Sequence, residues 1–221
     1  NPEASARIYA AKGRPSDNPL ILHISRPAEL YPLIGDFPET AGQLMRAFWP
    51  GPLTMIFRKS DLVPSQTTGG LDTVAIRMPS HPAAQALIRA AGVPIAAPSA
   101  NTSGRPSPTE AFHVLEDMDG RIDMVLDGGQ VQIGLESTIV DVTEDEPVIL
   151  RPGFITLEDV RRVTGGGLLD AGVLNKPAAG QRPKAPGMKY RHYAPKAQIT
   201  IYRGPEAAVA AAIGRAAAGT Q

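Results

Sequence analysis

The chain has 221 residues, 22 of them Lys or Arg and 22 Asp or Glu, so its formal net charge is zero, which argues against a protein that coats nucleic acid wholesale. No run approaches the roughly 18 apolar residues of a membrane span, the opening residues show no charged-then-apolar pattern, and the lack of cysteine excludes disulfides, thiol nucleophiles and thiolate metal sites. A globular cytoplasmic protein without membrane contact is the expectation. The 22 glycines and 22 prolines are dispersed without a repeat, which predicts many shaped loops between short elements.

The chain opens on a helix signal: Asn1 as N-cap, Pro2 at the first helical position, Glu3 at the positive end, a helical run to Lys12 and Gly13 to stop it. Leu20–Ile24 reads as a buried strand, and Thr40–Phe48 as a helix halted by Trp49-Pro50-Gly51-Pro52. Strands are predicted over Leu53–Phe57 and Thr73–Met78, then an Ala-rich helix over Pro82–Ala91 and a short strand over Pro94–Ala97. Ser107-Pro108-Thr109-Glu110 reads as a capping box opening a helix to about Met118. Further strands are expected at Met124–Leu126, Ser137–Val142 and Val148–Leu150, with a helix over Leu157–Val163 capped by Thr156.

This mixture without strict βαβ regularity predicts an α/β (α+β) protein with a twisted mixed parallel and antiparallel sheet and flanking helices. Three segments are expected: a sheet domain over 1–164, a basic Gly/Pro-rich linker over 165–196, and over 197–221 the start of a small α/β domain, with a strand at Gln198–Tyr202 and a helix at Glu206–Ala218.

Six features carry candidate chemistry. Lys12 and Arg14, two residues apart at a helix C-terminus on a proline-stiffened loop, suit a polyphosphate or simply complement the helix dipole. The loop Pro98–Thr109 gathers hydroxyls, an amide and backbone N–H groups ahead of a helix; it is either an anion cradle or an elaborate capped turn, and it is not a Walker loop. Arg77 sits in an apolar strand, on the face of Thr73 and Ala75, where it either snorkels or meets a carboxylate. His23 is a strand histidine, a type more often packed than catalytic. Glu136-Ser137-Thr138 and Arg151-Pro152-Gly153 either bring polar groups to a shared pocket or are ordinary turns. Finally, Lys184–Lys196 interleaves cations with Tyr190 and Tyr193 in a stretch without acids from 171 to 205, composed to bind RNA, to stack on a base, to close over a triphosphate, or to be a solvated linker. The four histidines show no metal-ligand spacing.

Taken in order, Lys12-Gly13-Arg14-Pro15, Asn18-Pro19-Leu20 with His23, Phe48-Trp49-Pro50-Gly51-Pro52-Leu53-Thr54, Val74-Ala75-Ile76-Arg77-Met78-Pro79, Pro98-Ser99-Ala100-Asn101 with Ser103-Gly104, Glu136-Ser137-Thr138 and Arg151-Pro152-Gly153 resemble the YrdC-like threonylcarbamoyl-AMP synthases. The run Ala185–Pro195 looks like the linker of that family's long form, and the resemblance covers roughly residues 1 to 196. It implies that L-threonine, bicarbonate and ATP with Mg2+ give threonylcarbamoyl-adenylate and pyrophosphate, for modification of adenosine in tRNA by downstream threonylcarbamoyl transferase proteins.

The resemblance also implies site roles. Lys12 and Arg14 are the catalytic cations; Arg14, Asn18, Thr73, Ala97, Asn101, Ser107, Arg151, Tyr190 and His192 hold ATP; His23, Arg77, Ser99 and Ser137 hold threonine; no protein-bound metal is expected. Family members carry a strand and a Pro-Thr-Glu-Thr loop before the opening helix and a complete C-terminal domain, so the chain is expected to be truncated at both ends. Two other functions fit the resemblance: a non-catalytic double-stranded RNA or tRNA-binding module of the same fold, and another carbamoyl-adenylate former.

Overall fold

A computed structural model describes residues 1–174 and 200–218. Its centre is a seven-stranded mixed sheet in the order β4-β1-β3-β2-β5-β6-β7. The strands are β1 (Ile21–His23), β2 (Leu53–Arg58), β3 (Thr73–Arg77), β4 (Ile95–Ala97), β5 (Thr138–Asp141), β6 (Val148–Arg151) and β7 (Leu168–Leu169). Pairing is parallel for β1–β3, β2–β5 and β6–β7 and antiparallel for β1–β4, β2–β3 and β5–β6. The expected mixed sheet is therefore present.

Seven α-helices accompany the sheet among the described residues: α1 (Pro2–Lys12), α2 (Glu39–Phe48), α3 (Pro82–Ala91), α4 (Ala111–Met118), α5 (Leu157–Thr164), α6 (Ala171–Leu174) and α7 (Glu206–Ala218). Their ends follow local chemistry. Asn1 Oδ1 accepts from the amides of Glu3 and Ala4, at 3.0 and 3.4 Å, and Gly13 ends α1 in the left-handed conformation at φ +59°. Thr156 and Asp159 form a reciprocal capping box on α5.

The two sheet faces differ. One buries Leu22, Ile24, Met55, Phe57, Val74, Ile76, Val140 and Ile149 in the main core, with Leu44 of α2 and Val160 of α5. Ile21, Ile56, Ala75, Ile139 and Leu150 form a smaller cluster. Residues paired in register share a face, so His23, Arg77 and Thr54 make a polar row across the ends of β1, β3 and β2 beside Ile21, Ala75 and Ile56. Two of the expected site residues, His23 and Arg77, lie on that second face.

Three sequence expectations are corrected. Ser107–Glu110 does not open α4: the helix begins at Ala111, and Glu110 in the cap position makes no side-chain bond. The Thr109 carbonyl accepts the Val131 amide at 2.9 Å, so it is committed across the loop instead of to a helical turn. Met124–Leu126 is not a strand; no described strand lies beside it to complete a ladder, and Met124 and Leu126 stand 81% and 63% exposed. Thr200–Tyr202 has no regular structure, the rest of that expected strand lying outside the described residues. Conversely, β7 and α6 fall in the stretch whose composition reads as linker.

Candidate active site

Lys12 ends α1 and Arg14 follows the Gly13 reversal, which turns the chain into the strap leading to β1. The Arg14 guanidinium ties that strap together: Nε donates to the Asn18 carbonyl at 3.2 Å, and Nη2 donates to Asn18 Oδ1 at 2.6 Å and to the Pro19 carbonyl at 2.9 Å. Lys12 reaches the second expected loop, where its ammonium donates to the backbone carbonyls of Ser99 and Asn101. The Ser103 amide returns a bond to the Lys12 carbonyl at 3.0 Å. Two segments far apart in sequence are thus clasped through one lysine.

This clasp is buried and electrostatically incomplete. Lys12, Arg14, Asn18 and Asn101 are only 5%, 9%, 1% and 5% exposed. Burial first, and the Arg14 charge next, lower the Lys12 ammonium to about 8. Lys12 meets carbonyl oxygens and no carboxylate among the described residues. Buried Asn18 Nδ2 and Asn101 Oδ1 have no hydrogen-bond partner there either. Unpaired buried groups of this kind are costly, and a ligand carrying negative charge offsets that cost.

The loop after β4 is braced from α4. Asp117 Oδ2 accepts the Thr102 amide at 2.8 Å, Asp117 Oδ1 pairs with Arg105, and the Asp117 carbonyl accepts Thr102 Oγ1 at 3.2 Å. Asn101 Nδ2 donates to the carbonyls of Thr102 and Arg105 at 2.9 and 2.8 Å. Sequence reasoning missed Asp117. The available signal was an acid in the last turn of a helix, where the dipole disfavours it unless it has another task.

At the sheet end, Arg77 is held by the turn between α2 and β2: its Nε donates to the Gly51 carbonyl at 3.0 Å, and the Gly51 amide donates to Met78 at 2.9 Å. Glycine is required at this position, because a Cβ on Gly51 would collide with the Phe48 carbonyl oxygen. Burial, then the nearby Arg151 charge, lowers the Arg77 pKa. Arg151 Nη2 donates to the Ser137 carbonyl at 2.8 Å and to Ser137 Oγ at 3.1 Å. Thr54 Oγ1, which sequence reasoning gave no site role, lies 2.8 Å from Ser137 Oγ. Two guanidinia and a hydroxyl are gathered at this end of the sheet, a set of donors able to pair with a carboxylate.

His23 Nδ1 lies 3.3 Å from the Ile95 carbonyl, which only accepts, so Nδ1 carries the proton and Nε2 the lone pair. Burial, followed by Arg77, depresses His23 to about 4. The folded protein refuses a proton that the unfolded chain takes near pH 6.5. Stability is therefore lost as pH falls from about 6.5 to about 4, by on the order of 3 kcal/mol, and His23→Gln flattens that limb. Urea denaturation midpoints at pH 4.5 and 7 check this; equal acid sensitivity in the variant would sink it.

The remaining expected residues divide. Ala97 ends β4, paired with Ile21, and Ser99 is exposed with its carbonyl on Lys12. Ser107 is half-buried on the braced loop. Thr73 stands apart, at the other end of β3 from Arg77, about 13 Å away at the usual strand rise. Tyr190 and His192 lie outside the described residues. A separate cavity of about 440 Å³ is lined by Asp36, Glu39, Glu144 and Asp145 among others; its carboxylates repel a polyphosphate. Among the described residues, no helix is long and apolar enough to cross a membrane, and no three His, Asp or Glu gather to hold a metal ion.

Comparison with known proteins gives the family and the fold. Residues 1–153 match the Sua5/YciO/YrdC family model, described as telomere recombination, and residues 155–220 match the C-terminal domain of threonylcarbamoyl-AMP synthase. A threonylcarbamoyl-AMP synthase of Pyrococcus abyssi is 52% identical over 91% of this chain and 59% of its own length. One from Bacillus subtilis is 53% identical over 92% and 58%, so the chain spans just under three fifths of these relatives. The crystal structure of P. abyssi Sua5 complexed with L-threonine superposes with a TM-score of 0.92 at 50% identity, covering 98% of this chain and 63% of that one. Escherichia coli YciO, at 24% identity and a TM-score of 0.64, shares the fold.

Proposed function

The chain belongs to the Sua5/YciO/YrdC family, and from that premise we propose that it forms threonylcarbamoyl-adenylate and pyrophosphate from L-threonine, bicarbonate and ATP, as a nucleotidyltransferase. The observation that carries the reading is the Lys12–Arg14 clasp. It sets Lys12 against the loop Ser99–Asn101 and Arg14 on the strap at Asn18, both cations buried, with one unpartnered amide atom on Asn18 and one on Asn101; Arg77, Arg151 and Ser137 make a second group. The first set suits phosphates, and in the second Arg77 and Ser137 suit an amino-acid carboxylate.

In this mechanism the threonine nitrogen attacks bicarbonate carbon, water leaves, and a carbamate forms. A carbamate oxygen then attacks the α-phosphorus of ATP as the bond to the β-phosphate bridging oxygen breaks and pyrophosphate departs. Lys12 and Arg14 stabilise negative charge building on the phosphates. Arg77 orients threonine through its carboxylate, and neutral His23 offers Nε2 as an acceptor. No residue forms a covalent intermediate.

Magnesium enters as part of the nucleotide, bound through its phosphates, where several negative charges need neutralising. The remaining expected nucleotide contacts, Asn18, Thr73, Ala97, Asn101, Ser107, Arg151, Tyr190 and His192, are part of the proposal, as are threonine contact by Ser99 and the division into a sheet domain, basic connector and further α/β unit. So are a cytoplasmic location and delivery of the product to tRNA-modifying transferase proteins. The full natural chain is expected to release pyrophosphate from ATP only with both L-threonine and bicarbonate present. Release that ignores threonine, or tight salt-sensitive RNA binding with no release, overturns the proposal.

A further inference from the structure

We infer, on the functional reading above, that Thr54 is a positioning residue: it fixes the Ser137 hydroxyl as an obligate hydrogen-bond donor toward the carboxylate of the bound amino acid. Thr54 is fully buried in β2, and its backbone is held on both sides by the ladder, opposite Arg77 in β3 and Ile139 in β5. Its hydroxyl has one partner among the described residues, Ser137 Oγ at 2.8 Å. The sheet itself, rather than a loop, sets where that hydroxyl sits.

Counting protons decides the direction of the bond. A serine hydroxyl has two lone pairs and one hydrogen. Arg151 Nη2, which can only donate, takes one lone pair of Ser137 Oγ at 3.1 Å. If Ser137 donated to Thr54, the Thr54 hydrogen would be buried with no acceptor, a costly state. Thr54 therefore donates into the second lone pair. Both acceptor sites of Ser137 are then filled, and its own hydrogen is left for a group that can only be an acceptor.

The surroundings specify that acceptor. Arg77 lies beside Thr54 in register, and Arg151 is already on Ser137, so the site is cationic. A carboxylate oxygen satisfies the Ser137 hydrogen and the positive charge together. A carboxamide NH2 turned that way meets a hydroxyl with no lone pair to give. Thr54 thus contributes to the preference for an acid over its amide without touching it.

The test is calorimetric binding of L-threonine and L-threoninamide to the full natural chain and to T54V and T54S, with the Michaelis constant for ATP measured alongside. T54V is expected to bind L-threonine about tenfold more weakly, to lose a similar factor of acid-over-amide discrimination, and to leave the ATP constant unchanged. T54S, which keeps the hydroxyl, is expected to recover most of both. Should T54V fail to fold, T54C carries the same expectation, with a far weaker donor of similar size. Wild-type-like threonine binding by T54V, or a loss in T54S as large as in T54V, overturns the inference alone. Wild-type protein that binds neither ligand overturns the functional reading, and this inference with it.

Discussion

Lys12→Ala lowers threonine-dependent pyrophosphate release by on the order of 10²–10³ fold, the usual cost of removing one preorganised donor from a site of developing charge. The structure makes the lysine hard to replace. The residue is 5% exposed, and its ammonium donates to the carbonyls of Ser99 and Asn101 with no carboxylate in contact among the described residues. Such a charge strains the ligand-free protein and is relieved when an anion arrives, so it contributes more to the bound state than to the fold.

That imbalance has a pH signature of two opposite signs. Folding lowers Lys12 from 10.5 to about 8, so between those values the unfolded chain holds more protons and stability rises with pH. The gain is on the order of 3 kcal/mol. Activity moves the other way, falling above about pH 8 as the ammonium is lost. Lys12→Met removes both trends while keeping the apolar stem. Pyrophosphate assays and denaturant midpoints from pH 7 to 10 measure them together, and activity that survives in Lys12→Met would show that the reaction needs neither the lysine's charge nor its clasp on the two loops.

How much of this was legible in the sequence follows from the range of the interactions. The caps on α1 and α5 were readable because Asn1, Gly13, Thr156 and Asp159 act on their own helix ends. The Val74, Ile76 and Met78 face was readable because strand alternation is a local property, and all three enter the main core. Ser107–Glu110 misled for the converse reason: its residues fit a capping box, yet the distant Val131 amide binds the Thr109 carbonyl. β7 has two residues, too few to show any period. Within the site, Lys12 and Arg14 announced themselves by proximity, whereas Thr54 gains its meaning from Ser137, 83 residues away, and Asp117 from Thr102, 15 residues back. A hydroxyl inside an apolar strand and an acid at the wrong end of a helix were the visible traces of both.

Arg77→Lys and Arg77→Ala are expected to lower kcat/KM for L-threonine by about 10² fold or more, the scale of removing one member of a buried charge-assisted pair. Lysine keeps the charge but not the geometry. It cannot place one nitrogen on the Gly51 carbonyl, as Nε does at 3.0 Å, while presenting a planar pair of donors to a carboxylate. The two variants therefore lose nearly alike, and neither moves the Michaelis constant for ATP, whose phosphates lie with Lys12 and Arg14 in this mechanism. Their stabilities should part company with their activities. Arg77 is disfavoured in the ligand-free fold by its burial and by Arg151, and alanine removes both penalties while leaving the buried Gly51 carbonyl without its donor. These effects oppose each other, so the melting temperature of Arg77→Ala stays within a few degrees of the parent while threonine recognition collapses. A variant that loses stability and ATP affinity in step with threonine would instead mark Arg77 as a strut for the Trp49–Pro52 turn. A lysine variant with full activity would show that a point charge suffices there.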